Sequence, residues 1–169
     1  MPFPFTLPTT SSVLLSESFE SVTHPSLPLQ ATTKRSVLKD ALKKHKRLAA
    51  ASRASHLPTV QDALTGYIPY LFTLNTATSY RDVGNERVDV EVVKPLEVEW
   101  RTTLTATPPG REAQRPKLTG IHHEIAFTIT NLAHTHVLMV SRAKPTCSPY
   151  VARFETTSTL VLRVCAQGQ

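Results

Sequence analysis

The sequence predicts a mostly α-helical protein with one β-hairpin. In three segments, apolar residues recur at steps of three and four, as they do on one face of an α-helix. In a fourth segment, residues 88–105, apolar and charged residues alternate, which is the period of a half-buried strand. The chain has 169 residues, of which 40% are hydrophobic, with 13 prolines and 5 glycines. This size and composition favour one domain whose helices lie between the prolines.

Residues 1–30 are predicted to be extended. The segment is rich in serine and threonine and is interrupted by five prolines: Pro2, Pro4, Pro8, Pro25 and Pro28. Proline removes a backbone donor that a helix needs. Apolar residues are too frequent here for a disordered tail, so we expect the segment to lie along the folded body. No apolar run follows Met1 and no cation precedes Lys34, so we expect no Sec-type signal peptide.

The first predicted helix spans residues 33–48 and is strongly basic. Its apolar face contains Leu38, Leu42 and His45, and Thr32 or Thr33 is the expected cap. Its charges sum to +6, which is also the formal net charge of the whole chain. We predict that its cations form a surface for a partner or a membrane: Lys34, Arg35, Lys39, Lys43, Lys44, Lys46 and Arg47. A merely solvated helix face is the alternative.

Three kinds of partner suit such a surface. Anionic lipid and an acidic helical protein fit the positive field equally well. Nucleic acid is disfavoured, because no aromatic residue for base stacking interleaves with the cations.

The second predicted helix spans residues 58–73. Residues 49–55 are small and polar and are expected to form the connection before it. Pro58 suits a first helical turn, and Pro69 is expected to kink the helix near its end. Residues 75–87 are polar and predict a loop.

The predicted hairpin covers residues 88–105. Val88, Val90 and Val92 alternate with charged positions, and a second alternating run through Trp100 follows Lys94 and Pro95. A lone hairpin is marginally stable in water, so it should pack against helices.

The third predicted helix spans residues 118–142 and is expected to be buried. Its apolar stripe comprises Leu118, Ile121, Ile125, Ile129, Leu132, His136 and Met139. A strand over residues 125–129 is the competing interpretation, and length favours the helix. The longest uncharged run, residues 125–141, is too short and polar for a membrane span, so none is expected. Residues 144–169 are expected to form an irregular tail.

Known catalytic and metal motifs are missing from the sequence. His122, His123 and Glu124 form only half of an H-E-x-x-H motif, and the other histidines lack the spacing for a shared metal ion. Cys147 and Cys165 lack the spacing of zinc ligands. We therefore predict a protein that is not an enzyme, with no catalytic residue, cofactor or metal.

Six stretches resemble the fungal PalC-type pH-response regulators, which belong to the Bro-domain family together with animal Alix. They are MPFPFTLPTTSS at 1–12, THPSLPL at 23–29, VLKDALKKHKRL at 37–48, LPTVQDALTGYIPYLFTL at 57–74, LEVEW at 96–100 and PPGRE at 108–112. The order and spacing of these stretches make the resemblance specific, although none of them is a catalytic motif.

The resemblance implies a non-enzymatic adaptor that links the plasma-membrane pH-sensing complex to an ESCRT-III subunit of the Snf/CHMP type. It implies a cytoplasmic protein recruited peripherally to the plasma membrane or endosome. Residues 31–143 would be the N-terminal portion of a Bro-domain helical scaffold, truncated here, and residues 144–169 would be an aberrant ending of the gene model. The family's ESCRT-III groove lies on later helices. The alternative function is a small basic module that binds anionic membrane or nucleic acid through residues 34–47.

Overall fold

Four helices and two short strand pairs make up the described part of the chain. The computed structural model describes residues 6–79, 88–103 and 113–142. The elements in order are α1 (Leu15–Ser18), β1 (Phe19–Glu20), α2 (Ser26–Arg47), α3 (Ala50–Thr78), β2 (Glu91–Val92), β3 (Glu97–Glu99), β4 (Lys117–Thr119) and α4 (Ile121–Arg142). Residues Met1–Met139 belong to one compact unit. The predicted class, mostly helical with a small amount of antiparallel strand, is confirmed.

Helix α2 begins earlier than the sequence predicted. It starts at Ser26 rather than at residue 33, because Pro28 falls in the first turn, where a missing N–H costs nothing. Thr32 is therefore not a cap. Its hydroxyl donates to the carbonyl of Pro28 at 2.9 Å and accepts the N–H of Ser16 at 3.1 Å. The predicted extended segment 1–30 is thus wrong in part, since α1, β1 and the start of α2 lie within it.

Helix α3 also begins earlier than predicted. It runs from Ala50 through Thr78 and includes both Pro58 and Pro69 in its interior. Of the predicted connection 49–55, residues 50–55 are helical. Alanine is the strongest helix former, and three alanines lie between residues 50 and 54. Only Leu48 and Ala49 separate α2 from α3, so the chain reverses sharply and α3 packs against α2.

The core forms where α2 and α3 meet the strands. Fully burying one leucine side chain contributes about 1.5–3 kcal/mol, so this cluster is the main source of stability in the unit. Its largest buried apolar members are Leu15, Leu38, Leu42, Leu57, Val60, Leu64, Tyr67, Leu71, Leu74 and Trp100.

The predicted hairpin over residues 88–105 is wrong in its pairing. Strand β2 pairs antiparallel with β1, which places Phe19 opposite Val92. Strand β3 pairs antiparallel with β4, which places Val98 opposite Leu118. Pro95 lies between β2 and β3 and has no N–H to donate to a shared ladder. The alternation is confirmed at Val88, Val90, Leu96, Val98 and Trp100, which are all buried. It is wrong at Val92, which is 57% exposed.

The Asp89 carboxylate fixes the approach to β2. It accepts the backbone N–H of Thr23 at 2.9 Å and of Val22 at 3.3 Å, together with the hydroxyl of Thr23. The hydroxyl and then the N–H of Thr23 lower the pKa of Asp89 to about 2. This contact joins two segments that are distant in sequence and sets the register of β1 against β2.

The N-terminal segment lies along the folded body from residue 6 onward, as predicted. Thr10 forms an isolated antiparallel bridge with Trp100. The N–H of Arg101 donates to the carbonyl of Thr9 at 2.9 Å, and the N–H of Ser11 donates to the carbonyl of Glu99 at 3.2 Å. These bonds cover the edge of β3.

Helix α4 confirms the helical interpretation of residues 125–129. It begins at Ile121 rather than at residue 118, because residues 117–119 form β4. Gly120, with φ of 109°, makes the turn between the two elements in a conformation that favours glycine.

The buried side of α4 contains a row of polar residues, and part of its apolar stripe is exposed. Glu124, Thr128, Asn131 and Thr135 are at most 1% exposed. The hydroxyls of Thr128 and Thr135 are satisfied by carbonyls one turn earlier, at 2.7 Å and 2.8 Å. The predicted buried stripe is confirmed at Ile121, which is buried, and at Ile125, Leu132 and Met139, which pack against the core. It is wrong at Ile129, which is 43% exposed, at Val137, which is 62% exposed, and at His136, which is also exposed. The physical reason is that Glu124 has partners inside the unit, so its face must point inward.

Several predictions lie outside the described residues. They concern most of the loop at 75–87, the PPGRE stretch, the end of the hairpin, the two cysteines and the tail at 144–169. Within the described ranges, no helix has the length and hydropathy needed to cross a bilayer.

Replacing Ile129 and Val137 together with lysine should reduce self-association of the 169-residue protein and its binding of the dye ANS. Both side chains expose apolar surface to water, and charge at these positions removes it. Analytical ultracentrifugation and ANS fluorescence measure the two effects. Thr130→Lys is the matched control, because it adds charge to the same helix without removing an apolar side chain. A wild-type protein that is monodisperse and does not bind ANS would contradict this prediction.

Candidate functional site

The described structure contains a buried carboxylate, Glu124, on which three other parts of the chain converge. Its oxygens accept hydrogen bonds from the Nε of Arg35 at 2.9 Å, from the hydroxyl of Tyr67 at 3.1 Å and from the indole N–H of Trp100 at 2.7 Å. Glu124 is 0% exposed and Arg35 is 1% exposed. Helices α2, α3 and α4 and the residue after β3 are thereby joined at one point, which we call the Glu124 hub.

The guanidinium of Arg35 forms its hydrogen bonds inside the protein. Besides Glu124, it donates from Nη1 to the carbonyl of Ser11 at 2.7 Å and from Nη2 to the hydroxyl of Thr10 at 2.8 Å. The prediction that Arg35 belongs to a partner surface is therefore wrong. Arginine suits this position because its planar guanidinium donates in several fixed directions and stays charged when buried.

The remaining hub residues are packed rather than exposed. Burial, and then the charge of Glu124, raise the pKa of Tyr67 well above its usual value, so Tyr67 stays protonated and donates. Trp100 stacks on Phe127 with ring centroids 5.6 Å apart and an interplanar angle of 6°. The hub is closed to solvent and satisfied, so it holds elements in place and offers no open position to a substrate.

The other candidate site is the basic surface of α2. Of the seven predicted cations, the structure leaves five exposed: Lys34, Lys43, Lys44, Lys46 and Arg47. The Lys39 side chain is only 17% exposed, donates to the hydroxyl of Ser12 at 2.8 Å and lies 4.0 Å from the carboxylate of Asp40. Four of the exposed cations lie in the last five residues of α2, next to the turn into α3.

Arg53 holds the turn between α2 and α3. Its guanidinium donates to the carbonyl of Leu48 at 3.0 Å and to the carbonyl of Lys46 at 3.3 Å. These are carbonyls at the end of α2, which have no partner within the helix. Arg53 therefore caps α2 from the first turn of α3, a role that sequence inspection did not identify.

Two histidines lie beneath this basic end. His45 and His56 are 8% and 9% exposed, and their ring centroids are 5.9 Å apart. Among the described residues, neither ring nitrogen of His56 has a hydrogen-bond partner. Burial, and then the charge of Lys44, lower the pKa of His56 from its usual 6.5. Burial and Lys44 thus disfavour the protonated form of His56 at this end of α2.

No metal centre forms within the described residues, where no group of three or more His, Cys, Asp and Glu side chains has suitable geometry. His122 and His123 lie in the first turn of α4. They line a cleft of about 370 Å³ whose other side chains are mainly apolar, among them Phe19, Leu96 and Ile121. Glu124, the third residue of the half motif, points into the hub instead.

Comparison with known proteins gives an independent view of the chain. The pH-response regulator protein palC of Emericella nidulans is 38% identical over an alignment of 146 residues that covers 79% of this chain. The chain resembles PalC, as the sequence predicted. It spans 29% of the length of that relative. No protein-family model matches the chain, and no solved structure matches it significantly.

The Glu124 hub is not predicted from the sequence. Arg35 was assigned to the cationic surface, although it lies three residues before Leu38 and seven before Leu42 on the same helix face. Lys34 has an equivalent spacing, four residues before Leu38, and is exposed, so the spacing alone does not distinguish the buried cation. Glu124 was its available partner, as the only carboxylate between residues 113 and 169 other than Glu155.

Glu124→Gln should destabilise the protein by about 3–5 kcal/mol, because it leaves the buried charge of Arg35 uncompensated. The double variant Arg35→Met with Glu124→Leu should recover part of that loss, since neither charge then remains, although Tyr67 and Trp100 lose their acceptor. Urea unfolding followed by circular dichroism measures both. Glu99→Gln is the control: it removes a surface pair with Lys117 at 3.8 Å and should cost at most about 1 kcal/mol. Equal losses for Glu124→Gln and Glu99→Gln would contradict a central role for the hub.

Acid should weaken the fold through His56. Its pKa in the folded protein is below the 6.5 of the exposed group, so the unfolded chain binds the proton more readily. Stability from this residue is therefore complete above pH 6.5 and is lost as the pH falls from there toward the folded pKa. His56→Leu should flatten this part of the profile, and Lys44→Gln should flatten it partly, because Lys44 contributes to the shift. Urea midpoints between pH 5 and 7.5 test this, and an unchanged slope in His56→Leu would refute it.

Proposed function

We propose that this chain acts in fungal ambient alkaline pH signalling as a non-enzymatic adaptor of the PalC type, as part of a longer protein of that kind. The observation that carries the proposal is the 38% identity over 79% of the chain to a pH-response regulator. Identity at this level over most of a chain is strong support for a shared fold, and the shared role is the step that we propose.

The partners that we propose come from the same resemblance. They are an ESCRT-III subunit of the Snf/CHMP type and the plasma-membrane pH-sensing complex, with the protein acting as the link between them. We propose that it is cytoplasmic and is recruited peripherally to the plasma membrane or endosome. The structure contributes no residue to either contact, so the groove for ESCRT-III is not assigned within the described ranges.

Two structural features support an adaptor. The first is the Glu124 hub, in which the hydrogen bonds to the buried carboxylate join α2, α3 and the residue after β3 to α4. The outward face of α4 presents Ile129 and Val137, which suits packing against further helices of a longer chain or against a protein. A Bro-domain scaffold would supply such helices.

The proposal is tested in a fungus that carries this gene. Deletion should impair growth at alkaline pH and leave growth at acid pH unchanged, and the wild-type gene should restore it. The full-length product should retain an Snf-type ESCRT-III subunit in a pull-down, because an adaptor acts through that contact. Normal alkaline growth of the deletion strain, or no retention by the full-length product, would overturn the proposal.

Variants of α4 sharpen this test. Ile129→Lys with Val137→Lys in the full-length gene should fail to restore alkaline growth, if the outward face packs against the rest of the scaffold. Thr130→Lys, on the same helix, should restore it. If both variants restore growth, the gene still acts in alkaline growth but the outward face of α4 is not needed for it.

A further inference from the structure

The most concentrated charge in the described structure lies at the corner between α2 and α3. We define this basic corner by Lys43, Lys44, Lys46, Arg47 and Arg53. Residues 41–61 contain these five cations and no Asp or Glu. All but Arg53 are exposed, and Arg53 is partly exposed while it caps the end of α2. The positive field of the corner is therefore not neutralised within the segment.

The corner is built on a short connection between two helices. Because only Leu48 and Ala49 separate α2 from α3, the cations from Lys43 to Arg47 and Arg53 flank one turn. The exposed residues around the turn are small: Ala49, Ala50, Ala51 and Ser52.

We propose that the basic corner docks on an anionic lipid bilayer. Lysine is a flexible point charge and suits the diffuse negative field of lipid headgroups, where each cation near the surface increases affinity about fivefold. Nucleic acid suits the corner less well, because residues 32–66 contain no Phe, Trp or Tyr on which a base could stack. An acidic helical partner would need an apolar groove beside the cations, and the exposed residues of the turn are alanines and a serine, with Leu48 only partly exposed.

This inference does not depend on the proposed adaptor function. The proposed protein contacts are tested by alkaline growth and by a pull-down, whereas lipid binding is tested on the purified chain alone. Failure of one therefore leaves the other standing.

Vesicle flotation with the purified 169-residue protein tests the proposal. The protein should bind vesicles of phosphatidylserine and phosphatidylcholine at 50 mM NaCl, should bind phosphatidylcholine vesicles far less, and should lose affinity steeply by 500 mM NaCl, because surface charges are then screened. Lys43→Gln, Lys44→Gln and Lys46→Gln together should weaken binding on the order of a hundredfold. The corresponding change to arginine keeps the charge and should keep the binding.

A matched control separates the corner from net charge. Lys34→Gln, Lys94→Gln and Lys117→Gln together remove the same charge from exposed positions outside the corner, where the side chains of Lys94 and Lys117 are 66% and 70% exposed. This control should retain most of the binding, and circular dichroism should show that both triple variants are folded. Equal loss in the two triple variants, no binding to anionic vesicles at 50 mM NaCl, or tighter binding to a 20-nucleotide DNA than to vesicles would each overturn the proposal.

Discussion

The buried ion pair between Arg35 and Glu124 is the constraint on which the rest of the structure depends. Its two charges are removed from water, which costs several kcal/mol per ion unless geometry and further hydrogen bonds compensate. Here the compensation comes from Tyr67, Trp100 and the N-terminal segment. Because these groups come from α3, from the residue after β3 and from the start of the chain, satisfying one carboxylate fixes the relative position of most of the elements.

The outward apolar face of α4 follows from the same constraint. Since Glu124 must face α2 and α3, Thr128, Asn131 and Thr135, which lie on the same side of the helix, are buried with it. The apolar residues on the opposite side, Ile129 and Val137, then face away from the unit. Apolar side chains exposed in this way suit packing against a further element or a partner. The chain spans 29% of the length of its PalC relative.

The sequence was sufficient to predict the helices and the alternating strands, but not their partners. Periodicity is a local property, and it predicts α2, α3 and α4 with errors mainly at their starts. These errors arise because proline is tolerated in a first helical turn and alanine favours a helix over a linker. Pairing is a long-range property. The segment around Trp100 contains correct strands, yet β2 and β3 join β1 and β4 from distant positions rather than each other. Arg35 was misplaced because neighbouring cations concealed its position on the apolar stripe.

The middle and the C-terminal end of α2 therefore have different roles, although the same residue types occur at both. Arg35, near the middle, is consumed by internal contacts, whereas the cations from Lys43 to Arg47 remain at the surface. Burial, and then the charge of Lys44, lower the pKa of His56, which packs beneath this end of the helix. Lys44 thus belongs both to the exposed corner and to the surroundings of a buried histidine, so a change at this one residue acts on the surface and on the interior.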